Sequence, residues 1–184
     1  PSGRPNAPGL EWSDQLTLTA LCESMAPYGP HQWHDEQSLS LSKVTVTNPA
    51  CRDEVVGSVS YVTKEDVKLA IQQATEAFPA WDNRSVEERA DILDAMAELL
   101  VKHQVELLAL LIREAGKTAL DALTEWREAI DFCRYYAEQA RNLMGVQVLQ
   151  GYTGESNTLR LCGRGAMVCI SPWNFPLAIF IGQV

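Results

Sequence analysis

Apolar residues recur every three to four positions over much of the chain, a spacing that places them on one face of an α-helix. This pattern predicts a short helix at 13–25 and longer helices at 63–79, 85–112 and 118–143. Thr or Ser stands at the start of each longer helix, with an acidic residue three positions on, as in a capping box. Pro79 is expected to end the first long helix and Gly116 the second. The 85–112 pattern is compatible with one bent helix or with two.

Other segments have the pattern of β-strands. Apolar and polar residues alternate at 41–47 and 54–61, and the residues between them favour a turn, which predicts a β-hairpin or a bent pair of strands. Two more strands are predicted at 158–162 and 166–170, the second continuously apolar like a buried parallel strand. A proline-bracketed turn at 171–176 then leads into an apolar run at 177–184, which has no stop signal and looks like a helix cut mid-element.

The order of these elements predicts an α/β fold in which a helical layer precedes the opening of an α/β domain. The first forty residues differ from the rest because Pro and Gly interrupt them repeatedly. We interpret 1–40 as a linker that carries one short helix, and 41–184 as the α/β part.

Composition narrows the possible functions. The chain has 184 residues, 46% of them hydrophobic and 21% charged, which is typical of a globular protein. A net charge of -9 argues against a nucleic-acid partner. No apolar run approaches the length of a membrane span and the first residues do not resemble a signal peptide, so a cytoplasmic protein is expected.

The cysteines and histidines suggest no metal site. The five cysteines have no CxxC spacing and form no ligand cluster with the three histidines. We expect reduced and mostly buried thiols. Cys162 and Cys169 fall in predicted strands and are interpreted as structural.

The turn after the predicted 166–170 strand is a candidate ligand site. It holds Ser171, Trp173 and Asn174 directly before a helix start, and ligands of doubly wound sheets bind outside the carboxyl ends of strands. An Asn side chain can donate an N–H to a developing oxyanion. The alternative is a purely structural turn in which Asn174 is a local cap.

Several segments resemble the aldehyde dehydrogenase superfamily. CISPWNFPLAIFIGQ at 169–183 is similar to the turn that carries the oxyanion-hole Asn in that family. The resemblance continues upstream through VTNPACRDEVVGSV at 46–59 and REAGKT at 113–118. EWREAIDFCRYYAEQAR at 125–141 resembles the pyrroline-5-carboxylate dehydrogenase part of bifunctional proline utilization A (PutA) proteins, and GRPNAPGLEWSD at 3–14 is similar to the segment that links the proline dehydrogenase barrel of those proteins to this second enzyme.

The resemblance implies a role for each matching residue. Asn174 matches the catalytic side chain that stabilises the oxyanion. The wall of the NAD site is matched by Ile170, Ser171, Pro172, Trp173 and, again, Asn174.

Two further positions match the substrate site. Phe175 matches an aromatic that packs on the aldehyde's carbon chain, and Glu128 matches a carboxylate near the substrate's amino group. Without the resemblance, Glu128 would be interpreted as part of a solvated helix face and Phe175, like the neighbouring tryptophan, as a core aromatic. Lys117 would be a charge at a helix C-terminus. Trp126 departs from the family pattern, which has a small aliphatic residue there.

The resemblance also implies a truncated aldehyde dehydrogenase-like fold, in which a strand pair and a helical layer lead into the first strand of a Rossmann-like NAD-binding domain. The nucleophilic cysteine and the rest of that domain are expected after residue 184, and an FAD-binding proline dehydrogenase domain before residue 1. The chain alone is therefore not expected to catalyse. Its expected partners are the remainder of the same polypeptide, a small-molecule aldehyde and further copies in a homo-oligomer.

The implied reaction is NAD-dependent oxidation of L-glutamate semialdehyde, in equilibrium with 1-pyrroline-5-carboxylate, to glutamate. Two alternatives remain open. The substrate could be another aldehyde, such as succinate semialdehyde, or the chain could be a non-catalytic helical interaction module.

Overall fold

The computed structural model describes residues 4–35 and 43–184 and has a mixed α/β architecture. The helices are α1 Gln15–Met25, α2 Lys64–Asp82, α3 Val86–Lys102, α4 Gln104–Ala115, α5 Ala119–Leu143 and α6 Ala178–Gln183. The strands are β1 Trp33–His34, β2 Lys43–Asn48, β3 Cys51–Ser60, β4 Gln147–Leu149 and β5 Asn157–Leu159. Among these residues, no helix is both long and apolar enough to cross a membrane.

The three long helices begin where the caps predict. Thr63 and Ser85 each form a reciprocal capping box with the acidic residue three positions on. The Thr118 hydroxyl oxygen accepts a hydrogen bond from the backbone N–H of Asp121. The 85–112 pattern proves to be two helices, α3 and α4, which meet at His103. Gly116 ends α4 in the left-handed conformation, at φ 68°.

The prediction that Pro79 ends its helix is wrong, because α2 continues to Asp82. Proline lacks an N–H group, so the Thr75 carbonyl loses its usual partner within the helix. Only three helical residues follow Pro79, so the missing hydrogen bond weakens only the last turn of α2. The backbone N–H and the side-chain amide of Asn83 both donate to the Pro79 carbonyl, at 3.2 and 2.8 Å, and close that turn.

The predicted hairpin is confirmed as β2 and β3, with a shorter turn than expected because β3 starts at Cys51. The first two residues of the predicted 41–47 strand lie outside the described residues. The sheet has the order β1-β3-β2, and its parallel edge strand β1 was not predicted. Trp33 pairs with Gly57 so closely that a Cβ on Gly57 would lie 1.9 Å from the Trp33 carbonyl oxygen. Only glycine permits this approach.

The core lies around α5, which packs against α3, α4 and α6. Trp126, the departure from the family pattern, is 1% exposed and fits this core. Its indole N–H donates to the carbonyl of Leu100 at 2.8 Å. That carbonyl is one of the last four of α3, which have no partner within a helix. The indole therefore caps α3 from the neighbouring helix.

Residues before β1 pack on the same core. Ala7 is buried, its backbone N–H donates to Asp131 Oδ1 at 2.8 Å, and its carbonyl accepts from Arg127. Near β1, the Arg113 guanidinium donates to the carbonyls of Tyr28 and His31. These contacts tie the proline-rich segment to α4 and α5.

The prediction of a strand at 166–170 is wrong, because this segment forms no strand pairing with any described residue. Its side chains point into solvent, Met167 being 77% exposed. The predicted strand at 158–162 is shorter, as β5 pairs with β4 and ends at Leu159. An apolar run indicates the strand conformation, whereas a strand also needs hydrogen-bond partners that the run itself does not specify.

The expectation that the thiols are mostly buried is also corrected. Only Cys133 is buried, and the other four cysteines are exposed; Cys162 and Cys169 lie outside the paired strands. The apolar run at 177–184 forms α6, which packs on α5 with Ala178 fully buried, while Phe180 and Val184 remain exposed.

Candidate functional site

The candidate turn at 171–176 leads into α6, and a buried carboxylate on α5 holds this junction. Glu125 Oε1 accepts hydrogen bonds from the backbone N–H groups of Leu177 and Ala178, at 2.7 and 3.1 Å. The Glu125 side chain is 0% exposed. A carboxylate at this place satisfies two N–H groups of the first turn, which have no acceptor within the helix.

Lys117 completes the contacts behind the turn. Its ammonium forms an ion pair with Glu125 Oε2 at 2.8 Å, and that oxygen accepts no hydrogen bond among the described residues. The same ammonium donates to the backbone carbonyl of Asn174 at 2.7 Å and lies 4.7 Å from the centroid of the Phe175 ring. Lys117 is thus an internal cation, and the interpretation as a mere helix C-terminal charge is wrong.

The position of Lys117 follows from the end of α4. Gly116 takes the left-handed conformation there, and a Cβ on it would lie 2.8 Å from the Pro49 ring. The chain reverses at this glycine, and α5 begins at Ala119. Glu125 lies within the first two turns of α5, where the reversed chain brings the two charges together.

A second set of contacts holds the segment that precedes the turn. The Ser171 hydroxyl donates to Gln183 Oε1 at 2.9 Å, and the Gln183 amide donates to the carbonyl of Ile170 at 3.3 Å. Cys169 Sγ lies 3.2 Å from the Gln183 carbonyl oxygen. The C-terminal end of α6 therefore fixes 169–171, while the start of α6 is fixed to α5.

Between these anchors, the candidate cofactor and catalytic residues lie on one exposed strip. Ile170 and Trp173 are 82% and 83% exposed, and Pro172 and Asn174 are also exposed. The alternative that Trp173 is a core aromatic is therefore wrong. The strip offers apolar side chains, one side-chain amide and backbone N–H groups.

The structure brings Phe175 close to this strip and places Glu128 elsewhere. Phe175 is 38% exposed, with the Lys117 ammonium near its face. Glu128 is exposed on α5, almost one turn beyond Glu125, in a separate groove with Arg4 and Thr124. None of the residues of the 171–176 turn lines that groove.

Sequence reasoning missed Glu125 and underrated Lys117. A signal for Glu125 was present, because it follows Ala122 by three positions and precedes Ala129 by four, within the apolar stripe of α5. An acidic residue on a buried face requires a partner. The sequence does not reveal that this partner is Lys117, which lies eight positions earlier.

A scan of protein families matches residues 33–184 to the one described as "Aldehyde dehydrogenase family". The chain belongs to the aldehyde dehydrogenase family. The predicted fold class is confirmed by this match and by the solved structures below.

Relatives of this family member include two kinds of protein. The chain is 37% identical to the bifunctional protein PutA of Klebsiella aerogenes, over 100% of this chain and 13% of that protein. It is 41% identical to 1-pyrroline-5-carboxylate dehydrogenase 1 of Halalkalibacterium halodurans, over 80% of this chain and 28% of the relative. The chain therefore spans only a small part of these relatives.

Solved structures of this family show the same fold. PutA from Bdellovibrio bacteriovorus superposes with a TM-score of 0.90 at 30% identity, over 98% of this chain and 20% of that one. The 1-pyrroline-5-carboxylate dehydrogenase from Thermus with bound NAD gives a TM-score of 0.87 at 32% identity, over 97% of this chain and 36% of that one.

Proposed function

We propose that this chain supplies the oxyanion-stabilising turn, and one wall of the nicotinamide pocket, of an NAD-dependent dehydrogenase. Its proposed substrate is L-glutamate semialdehyde, in equilibrium with 1-pyrroline-5-carboxylate, and its product is glutamate. The observation that carries the proposal is the exposed Asn174 side chain on a turn whose backbone is held from behind by Lys117. The cysteine nucleophile is proposed to come from the rest of a longer polypeptide, so the chain alone is inactive.

Asn174 acts on the oxygen of the aldehyde in this proposal. A cysteine thiolate adds to the carbonyl carbon, and the carbonyl oxygen becomes an alkoxide. The Asn174 amide donates an N–H to that oxygen and stabilises it. A hydride then leaves the carbon for NAD, and water hydrolyses the resulting thioester to the carboxylate.

The residues at 170–174 fit the nicotinamide end of NAD. Ile170 and Trp173 offer exposed apolar surface for a planar ring. Between residues 164 and 174, no backbone N–H donates a hydrogen bond to a backbone carbonyl of the described residues, so these donors can meet polar groups of a ligand. NAD, when bound, supplies the hydride acceptor. An FAD cofactor belongs in this proposal only to a proline dehydrogenase domain outside the chain.

Two residues are proposed to select the substrate. Phe175 offers a partly exposed ring against which a short carbon chain can pack. Glu128 is exposed and could attract the ammonium group of an amino-acid aldehyde. Its groove is separate from the Asn174 turn in the described residues.

The test is NAD-dependent oxidation of 1-pyrroline-5-carboxylate by the complete enzyme that contains this chain. We expect Asn174→Ala to lower kcat by about two to three orders of magnitude, as loss of an oxyanion donor does elsewhere. Asn142→Ala is the matched control, because Asn142 is an exposed asparagine near the end of α5. The control is expected to retain wild-type kcat.

Other outcomes point to the alternatives. Activity on succinate semialdehyde but not on 1-pyrroline-5-carboxylate would keep the family chemistry and change the substrate. No oxidation of any aldehyde, with no NAD binding, would favour a helical interaction module. An Asn174→Ala variant as active as the control would remove the oxyanion role. Light scattering on the complete enzyme tests the accompanying proposal of a homo-oligomer.

A further inference from the structure

A buried carboxylate and a largely buried ammonium lie behind the Asn174 turn, and the chemistry proposed above uses neither of them. The Lys117 side chain is 12% exposed and the Glu125 side chain is 0% exposed. Burying two charges is costly, and a hydrophobic pair of similar volume often stabilises a fold as well. Structural stability alone therefore does not account for an ion pair at this place.

The contacts of this pair converge on the main chain of the turn. Lys117 holds the carbonyl of Asn174, and Glu125 holds the N–H groups of Leu177 and Ala178. The ion pair, at 2.8 Å, joins these two anchors. The exposed Asn174 side chain projects from the backbone that the anchors fix.

We propose that Lys117 and Glu125 are positioning residues for the oxyanion-stabilising Asn174. This inference rests on the proposed function of Asn174. The pair orients the amide before substrate arrives, because the Asn174 carbonyl cannot rotate away while it accepts from the Lys117 ammonium. Preorganised donors stabilise developing charge without reorganisation during the reaction. A misplacement of about 1 Å can lower a rate by about 100-fold.

The first experiment compares Lys117→Met, Lys117→Arg and Glu125→Gln in the complete enzyme. Methionine preserves side-chain bulk but removes the charge and the donors, so kcat is expected to fall by at least about tenfold. Arginine retains the charge and the donors, so Lys117→Arg should keep more of the wild-type kcat than Lys117→Met does. Glutamine keeps an acceptor for the α6 N–H groups and loses the ion pair, so an intermediate kcat is expected.

A double variant separates positioning from general destabilisation. If Lys117 acts through Asn174, Asn174→Ala should lower kcat far less in the Lys117→Met background than in the wild type. Hydrogen exchange of the peptide that covers 174–178 should be faster in Lys117→Met as well. Additive losses of kcat, with unchanged exchange, would overturn the proposal.

Arg141→Gln is the matched control for loss of an ion pair on α5. Arg141 pairs with acidic residues of α3 and lies 16 residues beyond Glu125, about 24 Å along the helix. This variant is expected to lower Tm and to leave both kcat and the exchange of 174–178 unchanged. A fall of kcat as large as in Lys117→Met would overturn the positioning role.

Failure of the proposed function would look different. An Asn174→Ala variant with wild-type kcat, while exchange at 174–178 still depends on Lys117, would remove the oxyanion role but leave the anchoring contacts. A fully active Lys117→Met enzyme, alongside an inactive Asn174→Ala enzyme, would keep the oxyanion role and overturn the positioning inference.

Discussion

Replacement of Trp126 by phenylalanine tests whether a side chain of α5 caps α3. The Trp126 indole is 1% exposed and donates to the Leu100 carbonyl at 2.8 Å. Phenylalanine keeps an aromatic ring but leaves this carbonyl without its donor. A buried polar group without a partner costs about 1–3 kcal/mol. We expect Trp126→Phe to lower the free energy of unfolding by that amount.

Trp126→Ala supplies the second measurement. It removes the same donor and also opens a cavity, and such substitutions cost about 3–5 kcal/mol. Both losses are large against a typical total stability of about 5–15 kcal/mol. The difference between the two variants measures packing, and the loss in Trp126→Phe measures chiefly the hydrogen bond.

The assay is urea denaturation of the purified chain, followed by far-UV circular dichroism. Trp173→Phe is the matched control, since Trp173 is exposed, and its free energy of unfolding should stay within about 0.5 kcal/mol of wild type. The urea dependence should be similar in all variants, because the surface exposed on unfolding is similar. A Trp126→Phe loss no larger than that of the control would refute the reasoning, since the carbonyl would then have another partner.

Three further predictions follow from contacts away from the turn. Gly57→Ala should weaken the pairing of β1 with β3, because its Cβ would lie 1.9 Å from the Trp33 carbonyl oxygen, and the expected loss of about 1–3 kcal/mol is measurable by urea denaturation. The hydrogen bond from Arg113 lowers the pKa of Glu54, so this pair should stabilise the fold above the ordinary Glu pKa of about 4.3 and lose its effect as pH falls through the lowered value. Thermal unfolding of Glu54→Gln across that range checks this: a variant whose Tm falls with acid as steeply as wild type would contradict it. Burial raises the pKa of the Cys133 thiol, so a thiol reagent should modify the four exposed cysteines quickly and Cys133 only on unfolding.

Much of the fold could be predicted because its signals are local. The long helices begin at the residues whose side chains cap them, and Gly116 ends α4 as expected. Pro79 shows the limit of a local rule, since the side chain of Asn83 closes the turn that the proline weakens. The parallel strand β1 gave no signal, because two residues carry no periodicity and their pairing depends on Gly57.

Part of the candidate site could likewise be predicted from the sequence, and part could not. Asn174 and its neighbours could be found because they form a continuous string with a specific resemblance. Lys117 and Glu125 could not be recognised as a pair, since a salt bridge between two elements depends on the path of the chain between them. The acidic residue on the apolar stripe of α5 indicated only that some partner exists.

The contacts around the turn bear on how activity and stability are related in this protein. The segment at 166–170 has no strand partner among the described residues, so its hydrogen bonding cannot fix the turn that follows it. The turn is fixed instead by side chains from α5, from the end of α4 and from α6. The packing of the helices, to which Trp126 contributes, determines the positions of these side chains. The Lys117–Glu125 pair determines only the backbone path of the turn. Substitutions in the core should therefore lower stability and, where the fold persists, leave the rate nearly intact. Substitutions in the pair should lower the rate more than their effect on unfolding would predict.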